Sequence, residues 1–304
     1  MKKMFMAVIA LMMTISASAQ FYIYCSDGNV IKVDSISMIA PEEQEKPNLS
    51  DGIGVFSVSA DKQVTFSPGN LQYTQSTNTW SFASAQYEII GTDNVIGGSA
   101  SSDHFGDCTA GTALADKIDL FGWSTSTTNF GVSTSASDSN YGGSFVDWGT
   151  NNIGNDAPNT WRTLTFDEWY YLRYTRTNAN NLLGIAQVNG VNGLILLPDN
   201  WLCPNGITFK SGVHSEWSLE AYYQYQTFTA DQWLKLESAG AVFLPASGGR
   251  NISSIYYVQY CGYYWSANEN NSRYAYCLYF YSDEANIYYD YRFLGHSVRL
   301  VKDL

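Results

Sequence analysis

The feature that most constrains the fold is a series of short segments in which apolar and polar residues alternate. This pattern occupies residues 56–59, 63–67 and 70–74, and loops rich in Ser, Thr, Asn and Gly separate such segments. A period of two places alternate side chains on opposite faces of a strand, as in half-buried antiparallel sheets. We therefore predict a body of short strands, with residues 124–144 forming a long surface loop.

Two segments break this pattern and predict helices. Residues 165–168 and 229–232 have the Thr-x-x-Glu/Gln pattern of a capping box, in which two side chains satisfy free N–H groups at a helix start. Apolar runs at 193–198 and 241–246 predict buried strands near these helices. Few helices among many short strands and long loops indicate an α+β domain.

The N-terminus has the three parts of a secretory signal peptide, over residues 1–19. Two lysines precede an apolar run at residues 4–15, and the small-x-small sequence that signal peptidase cleaves ends before Gln20. That run is shorter than the roughly 20 residues of a membrane span. We expect an exported protein that is secreted or held at the outer cell surface, with the periplasm as the alternative.

The remainder divides into three parts. Residues 20–40 read as a short β-hairpin segment, because two β-rich runs flank the turn at residues 26–29. Residues 41–51 are charged and bracketed by prolines, which is typical of an extended linker. Residues 52–304 are long enough for one packed domain.

Charge limits the partners that we expect. The chain has 28 acidic and 16 basic residues and a formal net charge of −12. Such a chain repels nucleic acids and anionic lipids. No segment after residue 19 approaches the length of a membrane span. We therefore predict neither nucleic acid nor a membrane span.

Residues that could carry catalysis are scattered. The histidines, His104, His214 and His296, have no HExxH spacing, and neither a GxSxG elbow nor a P-loop is present. Asp167 and Glu168 are adjacent acids, but the helix dipole favours acids in a first helical turn. We therefore predict no enzyme activity and no metal site.

The five cysteines, Cys25, Cys108, Cys203, Cys261 and Cys277, lack CxxC spacing. The pattern therefore suggests neither a zinc ribbon nor a redox dithiol. In an oxidising compartment one or two disulfides could form, and buried or incidental thiols are the alternative.

Residues 263–294 are unusually rich in tyrosine and asparagine. A strand predicted from Tyr274 to Ser282 would have a core face and a solvent face. The core face would hold Tyr276, Leu278 and Phe280, and the solvent face Cys277, Tyr279 and Tyr281. Tyrosine combines a large apolar ring with a polar tip at small entropic cost, as in antibody paratopes.

The candidate ligand-binding residues are Tyr274, Cys277, Tyr279, Tyr281, Asp283, Tyr288, Tyr289, Tyr291 and Phe293. The alternative is that the rings merely line a twisted sheet.

Seven blocks occur in a characteristic order along residues 52–304. They lie at residues 56–73, 118–123, 161–172, 186–201, 239–250, 262–267 and 295–301. This set resembles FISUMP-like secreted proteins of gut bacteria. The resemblance implies a C-type-lectin-like fold of the formylglycine-generating-enzyme branch, to whose characteristic helix start residues 161–169 correspond. The enzymes of that branch use two cysteines five residues apart, whereas Cys261 and Cys277 are sixteen apart, so their copper chemistry is not implied.

Some relatives on this fold are variable proteins of diversity-generating retroelements, in which adenines of Asn codons are randomised. The residues that such changes produce resemble those found here at Tyr274, Cys277, Tyr279, Tyr281, Asp283, Ile287, Tyr288, Tyr289, Tyr291, Phe293 and Leu294. The resemblance therefore implies a diversified binding surface in this stretch.

These patterns together predict a secreted or surface-displayed, non-enzymatic binding protein. Its Tyr/Asn-rich C-terminal face would recognise a glycan or protein ligand at the cell surface. The alternatives are a structural or adhesive subunit of a surface assembly, and a carbohydrate-active or modifying enzyme whose carboxylate pair escapes recognition. No cofactor is predicted. Calcium is the single candidate, because lectin-like folds often hold it and the loop at residues 147–151 offers oxygen ligands.

Overall fold

The computed structural model describes residues 21–24, 30–33, 54–91, 99–100, 108–109, 116–133, 135, 141–213, 223–252 and 254–304. The chain divides into two compact units, residues 1–46 and residues 47–304. The predicted signal peptide and linker lie outside the described residues. In the first unit, β1 (Phe21–Tyr24) and β2 (Val30–Val33) pair antiparallel, with Phe21 opposite Val33.

The second unit is built mainly from short strands. In chain order they are β3 (Phe56–Ser57), β4 (Gln63–Phe66), β5 (Leu71–Thr74), β6 (Thr79–Phe82), β7 (Ser99–Ala100), β8 (Cys108–Thr109), β9 (Lys117–Ile118), β10 (Arg162–Thr163), β11 (Leu183–Val188), β12 (Val191–Leu196), β13 (Thr227–Phe228), β14 (Val242–Pro245), β15 (Gly249–Asn251), β16 (Ser254–Tyr256), β17 (Gly262–Glu269), β18 (Tyr274–Phe280), β19 (Ala285–Tyr291) and β20 (Leu300–Asp303).

Within the described residues these strands form five small sheets. Their strand orders are β10-β20-β4-β3, β13-β11-β12-β14, β15-β16-β8-β7, β17-β18-β19 and β6-β5-β9. Every neighbouring pair is antiparallel except β11 and β13. Two of the predicted apolar runs correspond to β12 and β14, which lie side by side in one sheet.

The two α-helices are α1 (Phe166–Tyr170) and α2 (Ala230–Ser238). Both begin at the predicted capping boxes, which are confirmed: at α1 the Thr165 hydroxyl accepts the Glu168 N–H at 3.2 Å and the Glu168 carboxylate accepts the Thr165 N–H at 2.8 Å. A π-helical turn, Tyr171–Thr175, continues α1. Short 3₁₀ helices occupy Trp148–Thr150, Ala179–Asn181 and Tyr223–Tyr225.

The predicted α+β class is confirmed by this mixture of small, mostly antiparallel sheets with two α-helices. Across the part of the chain that the structure describes, no helix combines the length and the apolar character required to cross a membrane.

The sheet of β17, β18 and β19 lies between two hydrophobic clusters. Leu278 and Phe280 belong to the first cluster, together with Trp169 of α1. Trp265 and Cys277 belong to the second cluster, which also contains residues from distant parts of the chain. The middle of β18 is therefore buried on both faces, unlike the half-buried strand that alternation predicts.

The predicted surface loop at residues 124–144 has neither helix nor strand in its described part, but its surface position is only partly correct. Phe130 packs against the second cluster, and Tyr141 is buried. Gly131 has a φ of 79° and lies so close to Gly122 that a Cβ atom would overlap the Gly122 carbonyl oxygen. This loop is therefore packed onto the core beside the β17–β19 sheet.

Candidate functional site

The candidate residues lie on β18, on β19 and in the segments that follow these strands. Opposite residues of paired strands share a face. Tyr264 is opposite Leu278, which is opposite Ile287, so these three define the face towards α1. On the other face, Trp265 is opposite Cys277, which is opposite Tyr288. β19 is one of the two outer strands of this sheet.

The prediction that Cys277 lies on the solvent face of β18 is wrong. Its side chain is fully buried and packs with Trp265, Ala275 and Val298. Burial raises the pKa of its thiol well above the usual value, so the thiol stays protonated at neutral pH. Alternation failed here because the second cluster covers the face that it assigned to solvent.

Tyr279 and Tyr281, predicted on the same open face, are half-buried instead. The Tyr279 ring lies 5.1 Å from the Tyr263 ring, and its hydroxyl is 3.9 Å from Cys261 Sγ. Tyr281 contacts the ring of Tyr260 at 5.2 Å. Burial raises the pKa of both phenols. These two tyrosines therefore belong to a packed aromatic cluster with limited access for a ligand.

The tyrosines of β19 are exposed. Tyr288, Tyr289 and Tyr291 each leave 39 to 56 % of their surface accessible. The Tyr288 and Tyr289 rings are nearly parallel, with centroids 5.2 Å apart. Tyr274 is half-buried between Tyr289 and Tyr291, at 5.5 Å and 4.5 Å. The edge strand therefore carries the open part of the tyrosine-rich stretch.

Two exposed tyrosines that the sequence analysis missed come from the first helix. Tyr170 ends α1 and Tyr174 lies in the π-helical turn, with 47 % and 41 % of their surface exposed. Phe166, Tyr170 and Tyr174 follow each other at intervals of four residues, which places them on one side of the helix. Their rings contact in series, at 6.0 Å and 4.9 Å. This four-residue spacing is visible in the sequence. The sequence does not show against which strand the helix packs.

We call the exposed rings of Tyr170, Tyr174, Tyr288, Tyr289 and Tyr291 the tyrosine surface. Phe166 and Tyr276 connect its two halves: their centroids are 4.3 Å apart, and Tyr276 lies 6.3 Å from Tyr289. Half of the ten large apolar or aromatic side chains exposed in the described part of the chain belong to this surface. Such a concentration is typical of an interaction site.

Hydrogen bonds hold the two halves together. The Tyr174 hydroxyl donates to Asn286 Oδ1 at 3.1 Å, and the guanidinium of Arg173 donates to the Ala285 carbonyl. Asn270 Nδ2 donates to the Tyr276 hydroxyl at 2.8 Å. The first two contacts join the helical segment to β19. The surface is therefore organised before any ligand binds, which reduces the entropic cost of binding.

The end of β19 is anchored by Arg292, which is buried. Its guanidinium lies 4.4 Å from the Trp123 ring centroid, donates to the carbonyl oxygens of Tyr141 and Gly143, and pairs with Glu269. Charge-assisted hydrogen bonds of this kind offset the desolvation of the buried cation. The anchor fixes the chain directly after Tyr291.

The last two candidate residues lie at opposite ends of β19. Asp283 is exposed in the connection between β18 and β19. Phe293 follows β19, is half-buried and contacts the Tyr291 ring at 5.3 Å. Both border the tyrosine surface without forming its centre.

In the loop named as the calcium candidate, the Asp147 carboxylate is already engaged by the protein. The Asp147 carboxylate accepts hydrogen bonds from the Gly149 N–H at 2.9 Å and from the N–H and hydroxyl of Thr163 at 3.0 Å and 3.1 Å. It thereby caps the following 3₁₀ helix. Among the residues that the structure describes, no three or more His, Cys, Asp or Glu side chains cluster closely enough to hold a metal.

Glu168 has a structural role. Arg162 binds its two carboxylate oxygens at 2.7 Å and 2.8 Å, and Lys62 donates at 3.0 Å. Burial works to raise the pKa of Glu168, but hydrogen bonds from Arg162 and the Thr165 N–H outweigh it and hold the pKa below the ordinary range. This ion pair fixes the start of α1.

His296 is enclosed by aromatic rings. Tyr263 and Trp265 lie 4.7 Å and 4.2 Å from its ring, and Asp290 Oδ2 is 3.4 Å from its Nε2. This imidazole is fully buried, so no substrate reaches it in this conformation. The other two histidines lie outside the described residues.

The cysteines whose side chains are described, Cys203, Cys261 and Cys277, are free thiols, so no disulfide links these three. Burial raises the pKa of Cys261 to about 11, despite hydrogen bonds to Tyr279 and Tyr263 that act in the opposite direction. Since the thiolate is the reactive form, neither buried thiol is poised as a nucleophile at neutral pH.

Comparison of the chain with models of known families, with curated proteins and with solved structures finds no match. The resemblance to FISUMP-like proteins therefore stays a prediction.

Proposed function

We propose that this chain is an exported, non-enzymatic binding protein that recognises a glycan or protein ligand through the tyrosine surface. The observation that carries the proposal is the connected series of exposed rings drawn from α1, its π-helical extension and β19. Tyrosine rings offer flat apolar faces, and their hydroxyl groups can exchange hydrogen bonds with a polar ligand.

Two further features support this proposal. The net charge of −12 disfavours nucleic acids and other polyanions as ligands. The N-terminal sequence favours export, which would place the tyrosine surface where glycans and proteins of the cell surface are accessible.

We also propose that residues 52–304 have a C-type-lectin-like fold of the formylglycine-generating-enzyme branch. The support is the α+β class together with the helix start at Thr165 and the closing strand β20, which lie in two of the resembling blocks or next to them. Diversification by a retroelement is part of this proposal. A template repeat near the gene that differs only opposite adenines, with a reverse transcriptase gene beside it, would support it, and the absence of both would contradict it.

The binding proposal is tested by replacing Tyr288, Tyr289 and Tyr291 together with alanine. Loss of three exposed aromatic contacts should weaken binding to ligands found on a glycan array, or to purified cell-surface proteins, by at least about tenfold. Affinity is measured for the unaltered chain and the variant by biolayer interferometry.

The control is Tyr225→Ala, because Tyr225 is 57 % exposed but lies outside the tyrosine surface. This variant should bind like the unaltered chain. A triple variant that keeps its fold by near-ultraviolet circular dichroism and also keeps full affinity would contradict the proposal.

A further inference from the structure

β19 has one free side. No strand in the described part of the chain pairs with its outer edge. The Arg292 N–H donates to the Arg273 carbonyl of the adjacent hairpin, so the backbone at position 292 faces β18. The Ala285 carbonyl oxygen instead accepts a hydrogen bond from Arg173, on the side of β19 away from β18. Backbone direction alternates along an antiparallel strand, so the N–H and C=O groups of Ile287 and Tyr289 point away from β18.

This edge lacks most of the features that usually prevent strand addition, and its one charged residue, Asp290, lies beside His296. β19 contains neither proline nor lysine, and all seven of its residues stay in register with β18. By contrast, the register of β17 with β18 shifts between Trp265 and Glu269. A regular edge with free N–H and C=O groups is a template for another extended chain.

Tyrosine side chains stand on both faces of this edge. The Tyr288 side chain leaves the backbone towards one face and those of Tyr289 and Tyr291 towards the other, and the Tyr288 and Tyr289 rings then stack on each other. Alternate side chains of an added strand would contact rings on each face, and such contacts supply specificity in strand addition. A glycan lacks the regularly spaced amide groups that match this edge, so the backbone favours a polypeptide.

Charge distinguishes a partner protein from a second copy of this chain. Two copies would each carry a formal net charge of −12 and would repel each other. At the start of β19, Asp283 is exposed and Glu284 is half-buried. The nearby Arg173 is already engaged by the Ala285 carbonyl and by Asn180 Oδ1. A segment with lysine or arginine would complement this end of the edge.

We propose that β19 binds an extended, basic segment of a partner protein, which adds to the sheet as a fourth strand. This inference rests on the proposed function and assigns the ligand to the protein class. Backbone hydrogen bonds to Ile287 and Tyr289 hold the segment, and the tyrosine surface contacts its side chains.

The test uses the full chain and a phage-displayed library of random peptides. Bound peptides are synthesised and measured against Ile287→Pro and Ile287→Ala. Both variants lose the isoleucine side chain, but only proline lacks the outward N–H, and proline is tolerated at edge positions whose N–H faces solvent. We expect recovered peptides to be rich in lysine and arginine. They should bind Ile287→Pro at least about tenfold more weakly than Ile287→Ala.

Amide hydrogen exchange provides a measurement that does not depend on the proline variant folding. Peptide binding to the unaltered chain should slow exchange at the Tyr289 amide, because that N–H becomes hydrogen-bonded. Unchanged exchange at Tyr289, equal affinity for the two Ile287 variants, or failure to recover any peptide would each show that the inference is wrong.

These failures are distinguishable from failure of the proposed function. A glycan or peptide that binds both Ile287 variants equally but loses affinity for the triple tyrosine variant overturns strand addition and leaves the tyrosine surface as the binding site. A ligand whose affinity is unaffected by the triple variant contradicts the proposed function itself.

Discussion

β18 and β19 are adjacent strands of similar composition, yet they have opposite roles. β18 buries Ala275, Cys277, Leu278 and Phe280. The face that the sequence prediction assigned to solvent is therefore covered in the middle of this strand. β19 leaves its tyrosines exposed. The difference arises because β18 has a strand on each side and a hydrophobic cluster on each face, whereas β19 is at the edge. Position in the sheet, more than residue type, decides which aromatic side chains are available to a ligand.

The largest effect that would test this comparison is on stability. Phe280→Ala should lower the free energy of unfolding by about 3 to 5 kcal/mol, because it leaves a cavity beside Tyr264 in the first cluster. Tyr288→Ala should change it by about 0.5 kcal/mol or less, because that ring is largely exposed. Urea unfolding of both variants measures the contrast, and similar values for the two would refute it.

A smaller effect on stability is expected at the ion pair of Glu168, which fixes the start of α1. This helix carries part of the tyrosine surface. Glu168→Gln should cost about 1.5 to 3 kcal/mol at neutral pH, because charge-assisted hydrogen bonds to Arg162 and Lys62 are weakened.

This cost should depend on pH with a definite sign. The folded-state pKa of Glu168 is lowered from its ordinary value of 4.5, so its stabilisation is complete above pH 4.5 and is lost as the pH falls through the folded-state pKa. The difference between the unaltered chain and Glu168→Gln should therefore shrink on acidification below pH 4.5. A difference that stays constant from pH 7 to strongly acidic conditions, measured by urea unfolding, would argue against the ion pair.

The smallest expected effect on stability tests whether Cys277 is buried. Cys277→Ser should cost about 1 to 3 kcal/mol, because it places a hydroxyl group in an apolar environment. Cys203→Ser should be nearly neutral, because Cys203 is exposed. In the folded chain, a thiol reagent should label Cys203 and leave Cys277 unmodified, as peptide mass spectrometry can show. Rapid labelling of Cys277 would mean that its face is open after all.

Much of the local structure was predictable. Thr165 and Thr229 start helices because capping is a contact between residues three apart in the chain. The apolar runs that became β12 and β14 were predicted for a similar reason, since a buried strand needs a continuous apolar segment. The α+β class followed from counting such elements.

The binding face was predicted only in part. The exposed tyrosines of β19 lie within the stretch chosen from composition, but Cys277 is buried, and Tyr170 and Tyr174 were not included. The alternating pattern assigns the residues of β18 to two faces. It does not show that both faces pack against a hydrophobic cluster. The spacing of Phe166, Tyr170 and Tyr174 is likewise visible in the sequence. The β19 residue that Tyr174 contacts, Asn286, is more than a hundred residues away in the chain.

The sequence by itself therefore determined where helices start, where strands run and which segment is rich in tyrosine, since these depend on contacts between near neighbours. The tertiary structure decided that β18 is enclosed, that β19 forms an edge and that tyrosines of the α1 segment join those of β19. These outcomes depend on packing between residues far apart in the chain, and local periodicity carries no information about which distant surfaces meet.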